Sequence, residues 1–178
     1  MPPLRYSVAA SLDGFIAGPN GEFDWIPMDP DIDFAAMYAS YGHLVMGRQS
    51  YGVFVSTGGT PGGMPLPITV CSTSLPEGSR DGMTFVRDGV AAVRALKEEP
   101  GDKPIWLWGG SSLFGTLATA NLVDKVEVAI VPVLLGHGIP LVPPSVQRLT
   151  LRLTQQRLYP KSGIVMVEYD VVIEGLKA

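Results

Sequence analysis

Pro104 to Leu117 reads PIWLWGGSSLFGTL. Four apolar residues, Ile105 to Trp108, run into Gly109-Gly110; two serines follow, and then Leu113, Phe114 and Leu117 return at helical spacing. The pattern is a buried strand that turns directly into a helix. Glycine at such a junction lets another group approach the backbone, while the free N–H groups of the first helical turn and the helix macrodipole favour an anion. A lone Gly-Gly is also an ordinary tight turn. Ser111 and Ser112 add hydroxyls that serve either as helix caps or as phosphate donors.

Two further stretches repeat the design. In HLVMGRQSYGVF, His43 to Phe54, a strand ends at Gly47, and Arg48, Gln49 and Ser50 open a short helix. A guanidinium fork and a hydroxyl there can grip phosphate oxygens, and a cation at a helix N-terminus is poorly placed unless an anion is bound. In CSTSL, Cys71 to Leu75, a third strand runs into Ser72 and Thr73. Three strand ends supplying phosphate-type donors point to a dinucleotide lying across the carboxyl ends of a parallel sheet. The common fingerprints, G-x-G-x-x-G after the first strand and G-x-x-x-x-G-K-[ST], are both absent.

The rest of the chain supports an α/β sheet. Strands are expected at Leu4–Ala10, Leu44–Met46, Pro67–Cys71, Met83–Val86, Ile105–Trp108 and Val123–Val131, and helices at Asp31–Tyr41, from Arg48, at Val90–Glu99 and at Ser112–Ala120. Alternation of the two implies parallel core strands, which need crossover connections. The end differs: RLTLRLTQQRLY and GIVMVEYDVVIE alternate apolar and polar residues around Pro160 to Gly163, the pattern of an antiparallel hairpin. Ser11 to Trp25 reads as a Gly-rich loop ending on an aromatic, either a cover for a reactive centre or a set of turns. Ser56 to Pro67 reads as an irregular surface loop, a lid, an oligomer contact or simply mobile chain.

At 178 residues, 46% hydrophobic and 17% charged, one compact domain is expected. A net charge of −4 without a Lys/Arg cluster argues against nucleic acid or an anionic membrane as the main partner. Cys71 is the only cysteine, so no intramolecular disulfide can form, and MPPLRYSVAA lacks the features of a secretory signal; a cytoplasmic setting is expected. No run approaches the roughly 20 apolar residues of a membrane helix. His43, His137 and the single cysteine are too few and too scattered for a zinc site, so no metal is expected.

The order of AASLDGFIAG, a loop ending at Trp25, VMGRQSY, ITVCSTSL, IWLWGGSSLFGTLATANLVDKVEVAIVPVLLGHGIPL and a final hairpin resembles the dihydrofolate-reductase-like superfamily. Within it, the chain is most similar to the reductase domain of bifunctional riboflavin-biosynthesis proteins and its stand-alone bacterial relatives. The resemblance spans nearly the whole chain and implies a three-layer fold with a mostly parallel central sheet, the hairpin closing one side. It implies NADPH/NADP as cofactor, with the backbone of Ala9 and Ile16 at the nicotinamide carboxamide. Gly47, Arg48, Ser50, Ser72 and Thr73 would surround the adenosine phosphates, Arg48 selecting NADP through the 2′-phosphate, and Gly109, Gly110, Ser111, Ser112 and Leu113 would wrap the pyrophosphate. It also implies a homodimer.

The chain departs from the superfamily at two places. Dihydrofolate reductases carry one carboxylate on the helix after the tryptophan, where this chain offers Asp29, Asp31 and Asp33; the riboflavin-pathway reductases tend to carry an acid just before Gly109, where this chain has Leu107-Trp108. The expected activity is an NADPH-dependent reductase that transfers hydride to a small heterocyclic or carbonyl/imine substrate of the pteridine, pyrimidine or ribosylaminopyrimidine class. Asp13 and then Asp31 are the candidates for proton donor or substrate anchor, each also suited to a turn or a helix cap. Trp25 and Trp108 can stack on a planar substrate or belong to the core. The alternatives are an NADP-binding regulatory or ligand-binding module without turnover and a domain whose role is assembly.

Overall fold

The computed structural model describes residues 1–59 and 64–172. Its strands are β1 (Leu4–Ser11), β2 (Phe15–Ala17), β3 (His43–Gly47), β4 (Ile68–Cys71), β5 (Gly78–Arg80), β6 (Met83–Val86), β7 (Ile105–Gly109), β8 (Lys125–Val131), β9 (Ile139–Pro140), β10 (Thr150–Tyr159) and β11 (Ile164–Val172). Four helices, α1 (Phe34–Ala39), α2 (Arg48–Ser56), α3 (Gly89–Glu98) and α4 (Ser111–Thr119), are interleaved with them. Nine strands form one sheet in the order β10-β11-β8-β1-β7-β3-β4-β6-β5, and β2 pairs with β9 apart from it.

From β8 to β6 every neighbour is parallel, while the β10–β11 hairpin joins β8 antiparallel and β5 adds an antiparallel edge beside β6. Helices cover both faces of the parallel part, so its central strands read as unbroken apolar runs: Leu44, Val45 and Met46 of β3 are all fully buried. Val45 joins Leu4, Tyr6, Leu107 and Phe114 of α4 in one cluster. Leu44 and Met46 join Tyr41, Trp106 and Phe54 of α2 in another. The three layers and the mostly parallel sheet of the dihydrofolate-reductase-like fold are therefore present.

Several expectations need correction. Helix α1 starts at Phe34, not Asp31, because the Asp33 carboxylate caps Ala36 N–H while the Asp29 side chain takes Asp31 N–H into a preceding turn. The stretch Ser11 to Trp25 is not all loop, since β2 lies within it. The final hairpin begins at Thr150, and the expected strand end at 173–174 lies outside the described residues, as do residues 60–63 of the Ser56 to Pro67 loop. Among the described residues no helix is long and apolar enough to cross a membrane.

Candidate functional site

β3 and β7 are parallel neighbours, but the chain leaves them in opposite directions. The β3–α2–β4 crossover moves toward β6, the β7–α4–β8 crossover toward β10, and α2 and α4 lie on opposite faces. Right-handed crossovers that diverge in this way open a crevice at the carboxyl ends of the two strands. A cleft of about 1260 Å³ occupies it, lined by Ala9, Ile16, Arg48, Gln49, Ser50, Trp108, Gly109, Gly110, Ser111 and Ser112 among others.

The helix ends differ according to where they face. Away from the cleft, α1 and α3 are capped by Asp33 and Asp88, whose carboxylates take Ala36 and Ala91 N–H. At the cleft, α2 and α4 follow Gly47 and Gly110, and no side chain caps either. Their first-turn N–H groups and the positive ends of both macrodipoles thus remain available to an anion. The two ends are in contact: a Cβ on Gly47 would lie 3.5 Å from Gly110 N, and one on Gly109 only 3.1 Å from Ser50 Oγ. Gly109 has φ +130°, a region that penalises any side chain, and the Gly109–Gly110 peptide is cis.

Two polar groups here lack partners among the described residues. Ser111 is 6% exposed, and its Oγ is buried without a hydrogen bond. Among the described residues the exposed Arg48 makes no ion pair and is the only ionisable side chain lining the cleft. Thr116 and Thr119, also on the cleft wall, instead spend their hydroxyls on Ser112 and Gly115 carbonyls of their own helix.

Residues 67–165 match the family model described as RibD C-terminal domain. The protein YyaP of Bacillus subtilis (strain 168), itself uncharacterized, is 36% identical over 173 residues, 91% of either chain. The chain belongs to the RibD C-terminal domain family. Among solved structures, a putative riboflavin biosynthesis protein from Shewanella sp. PV-4 superposes with a TM-score of 0.78 at 23% identity, covering 97% of this chain and 100% of the other. The diaminohydroxyphosphoribosylaminopyrimidine deaminase/5-amino-6-(5-phosphoribosylamino)uracil reductase of Thermotoga maritima superposes at 0.69 with 14% identity, this chain spanning 57% of its length.

In this RibD C-terminal domain several candidate residues stand away from the cleft lining. Gly47 lies just beneath it, and Leu113 packs into the core with its Cδ1 near Gly89. Ser72 turns its Oγ inward to accept Ser74 and Leu75 N–H, and the exposed Thr73 gives its carbonyl to Arg87. Trp25 packs beside Val131, Tyr159 and Ile164 and donates its Nε1–H to Glu22 O, whereas Trp108 lines the cleft, edge-on to Phe54.

Neither carboxylate candidate is among the lining residues. Asp13 is exposed and accepts from Ser11 Oγ and from Leu135 and Gly136 N–H, which hold its carboxyl down to about 2. Asp31 is exposed and paired with Lys161 at 2.7 Å. His137 is also exposed and off the lining.

Other walls went unseen in sequence: Asn20 and Phe23, the β9 residues Ile139 and Pro140, and Pro143 to Ser145. Gly115 admits that last segment, since a Cβ there would meet Pro143 Cγ at 2.7 Å. The polar spacing Ser112, Thr116, Thr119 along α4 is a signal that could have found its wall.

Proposed function

We propose that this chain is an NADPH-dependent reductase acting on a small heterocyclic or carbonyl/imine compound of the pteridine, pyrimidine or ribosylaminopyrimidine class. One observation carries the reading: two glycine-capped helix N-termini, Arg48 and the Ser111 Oγ, the last two without partners among the described residues, converge on one cleft at a topological switch point. These groups suit a dinucleotide in charge, donor number and backbone access. Arg48, Gln49 and Ser50 would hold the adenosine phosphates and Gly109 to Ser112 the pyrophosphate. The backbone at Ala9 and Ile16 would meet the nicotinamide, and Trp108 the substrate. When bound, the nicotinamide supplies the hydride.

The chain's own contribution is to position the reactants and exclude water. Since Arg48 is the only ionisable side chain among the described lining residues, the accompanying proton would reach the substrate from water rather than from Asp13 or Asp31. The same observation favours a second reading, an NADP-binding module without turnover. A cytoplasmic homodimer belongs to the proposal; nine of the ten β10 residues, Leu151, Leu153 and Leu158 among them, are exposed. Light scattering that returns a monomer at micromolar concentration would remove the dimer.

Isothermal titration with NADPH and NADP tests both readings, and no binding at up to millimolar nucleotide overturns them. A screen of NADPH oxidation against dihydrofolate, pteridines and ribosylaminopyrimidines then separates reductase from silent module.

A further inference from the structure

The rim of the cleft is not part of the main sheet. Ile16 and Ala17 of β2 and Ile139 and Pro140 of β9 line it, and the two short strands pair only with each other. They approach closely, because a Cβ on Gly138, at φ +156°, would fall 2.2 Å from Ala17 O. So small a sheet has little stability of its own and needs an anchor.

The anchor lies where β1 and β8 end. These parallel neighbours finish in register at Ser11 and Val131, so the turns leading to β2 and β9 emerge side by side, with Leu12 N–H bonded to Val133 O. Asp13 Oδ1 accepts the Ser11 hydroxyl at 2.6 Å, Oδ2 accepts Gly136 N–H at 2.7 Å, and Leu135 N–H is 3.1 Å from both oxygens. Ser11 Oγ in turn accepts Phe15 N–H, the first amide of β2, at 3.0 Å. One carboxylate therefore ties the root of β2 to the stem of β9. Beyond it, Leu141 N–H closes the far side on Gly14 O at 2.8 Å.

We propose that Asp13 is a positioning residue that clamps the β2–β9 flap over the cleft and sets where Ile16 and Ala17 meet a bound nucleotide. The role concerns the reading of the cleft as a reductase site and rests on it. A carboxylate is needed because two oxygens must accept three donors. An amide at the same place offers one oxygen and turns its N–H groups on the other donors. None of the groups bonded to Asp13 titrates, and its own carboxyl is ionised throughout the neutral range.

The test is Asp13→Asn. In the ligand-free protein, amide exchange at Leu135, Gly136, Ala17 and Ile139 should quicken by about tenfold. NADPH Kd should rise about tenfold, and kcat with any active substrate should fall by up to ~100-fold as the nicotinamide end is misplaced. The pH profile between 5 and 9 should keep its shape. Unchanged exchange at Ala17 and Ile139, or faster exchange with unchanged Kd, would overturn the clamp, and so would loss of the profile's acid limb, which marks a proton donor.

Exchange is read without nucleotide, so wild-type protein that fails to bind NADPH overturns the reductase reading independently of whether the flap loosens. Should Asp13→Asn not fold, Ser11→Ala cuts the Phe15 link and one of the three bonds to the carboxylate, leaving Leu135 and Gly136 N–H on Asp13. It should quicken exchange at Phe15 and Ala17 more than at Gly136; equal or absent effects would count against the clamp.

Discussion

Arg5 and Arg48 are two arginines at strand ends with opposite surroundings. Arg5, near the start of β1, reaches Glu127 at 3.4 Å and Glu168 at 3.2 Å and lies over the Tyr41 ring. Arg48, just past the end of β3, is exposed, makes no ion pair among the described residues and opens a helix whose positive end faces it. The antiparallel side of the sheet consumes its charges internally: Lys125 joins Glu168 and Asp170, and Arg152 joins Asp170. Among the described residues the crevice leaves its one charge open. A cation at a helix N-terminus costs about 0.3–1 kcal/mol, and only an anion supplied from outside offsets that. The comparison thus separates a region built for stability from one built for a ligand.

Its largest test lies on the stability side. Glu168, 5% exposed, accepts from Lys125 and Thr154 and faces Arg5. Glu168→Gln should cost about 3 kcal/mol in denaturant unfolding, at the low end for a broken buried pair because Arg5 keeps Glu127 and Lys125 keeps Asp170. NADPH affinity should not change. A loss in affinity with full stability would invert the assignment of the two regions.

The reciprocal test is Arg48→Ala. It should weaken NADPH by about 1.5–3 kcal/mol, the range for a hydrogen bond to a charged group, and NADH much less. Stability without ligand should hold or rise slightly. Equal weakening of both nucleotides would remove the 2′-phosphate from the role of Arg48.

Much of this contrast was legible in sequence, and what was not has physical causes. Strands buried on both faces announce themselves as apolar runs, which is why β3, β4 and β7 were expected within a residue or two. β2 and β9, three and two residues long, are too short for periodicity and exist only because residues far apart in sequence pair with each other. The Gly47 and Gly109 junctions stand out because strand, glycine and helix occur in order. Ser72 and Thr73 follow a strand in the same manner, but no helix follows, and the Ser72 hydroxyl closes its own turn.

The three aspartates at 29, 31 and 33 could not be ranked by residue type, since all three suit a cap. Tertiary packing ranks them: Asp29 is buried and also takes Ser162 N–H from the hairpin turn, leaving Asp33 as the cap and Asp31 at the surface.

The smallest expected effect discriminates most sharply, because its sign differs between the ligand-free and ligand-bound protein. A buried hydroxyl without a partner has given up water and gained nothing, a cost of about 1–3 kcal/mol that the native state carries. Ser111→Ala removes the Oγ, breaks no hydrogen bond among the described residues and improves helix propensity, so the melting temperature of the ligand-free protein should stay the same or rise. If the hydroxyl awaits a nucleotide oxygen, the same change should weaken NADPH by about 0.5–1.5 kcal/mol. Thr119→Ala, at an exposed position of the same helix, trades a back-bond to Gly115 O for better helix propensity, so it should leave both stability and affinity nearly intact. If Ser111→Ala destabilises the ligand-free protein, its hydroxyl is satisfied without ligand. The contrast between an ion-paired flank and an open crevice would then rest on Arg48 and the glycine-capped helix ends alone.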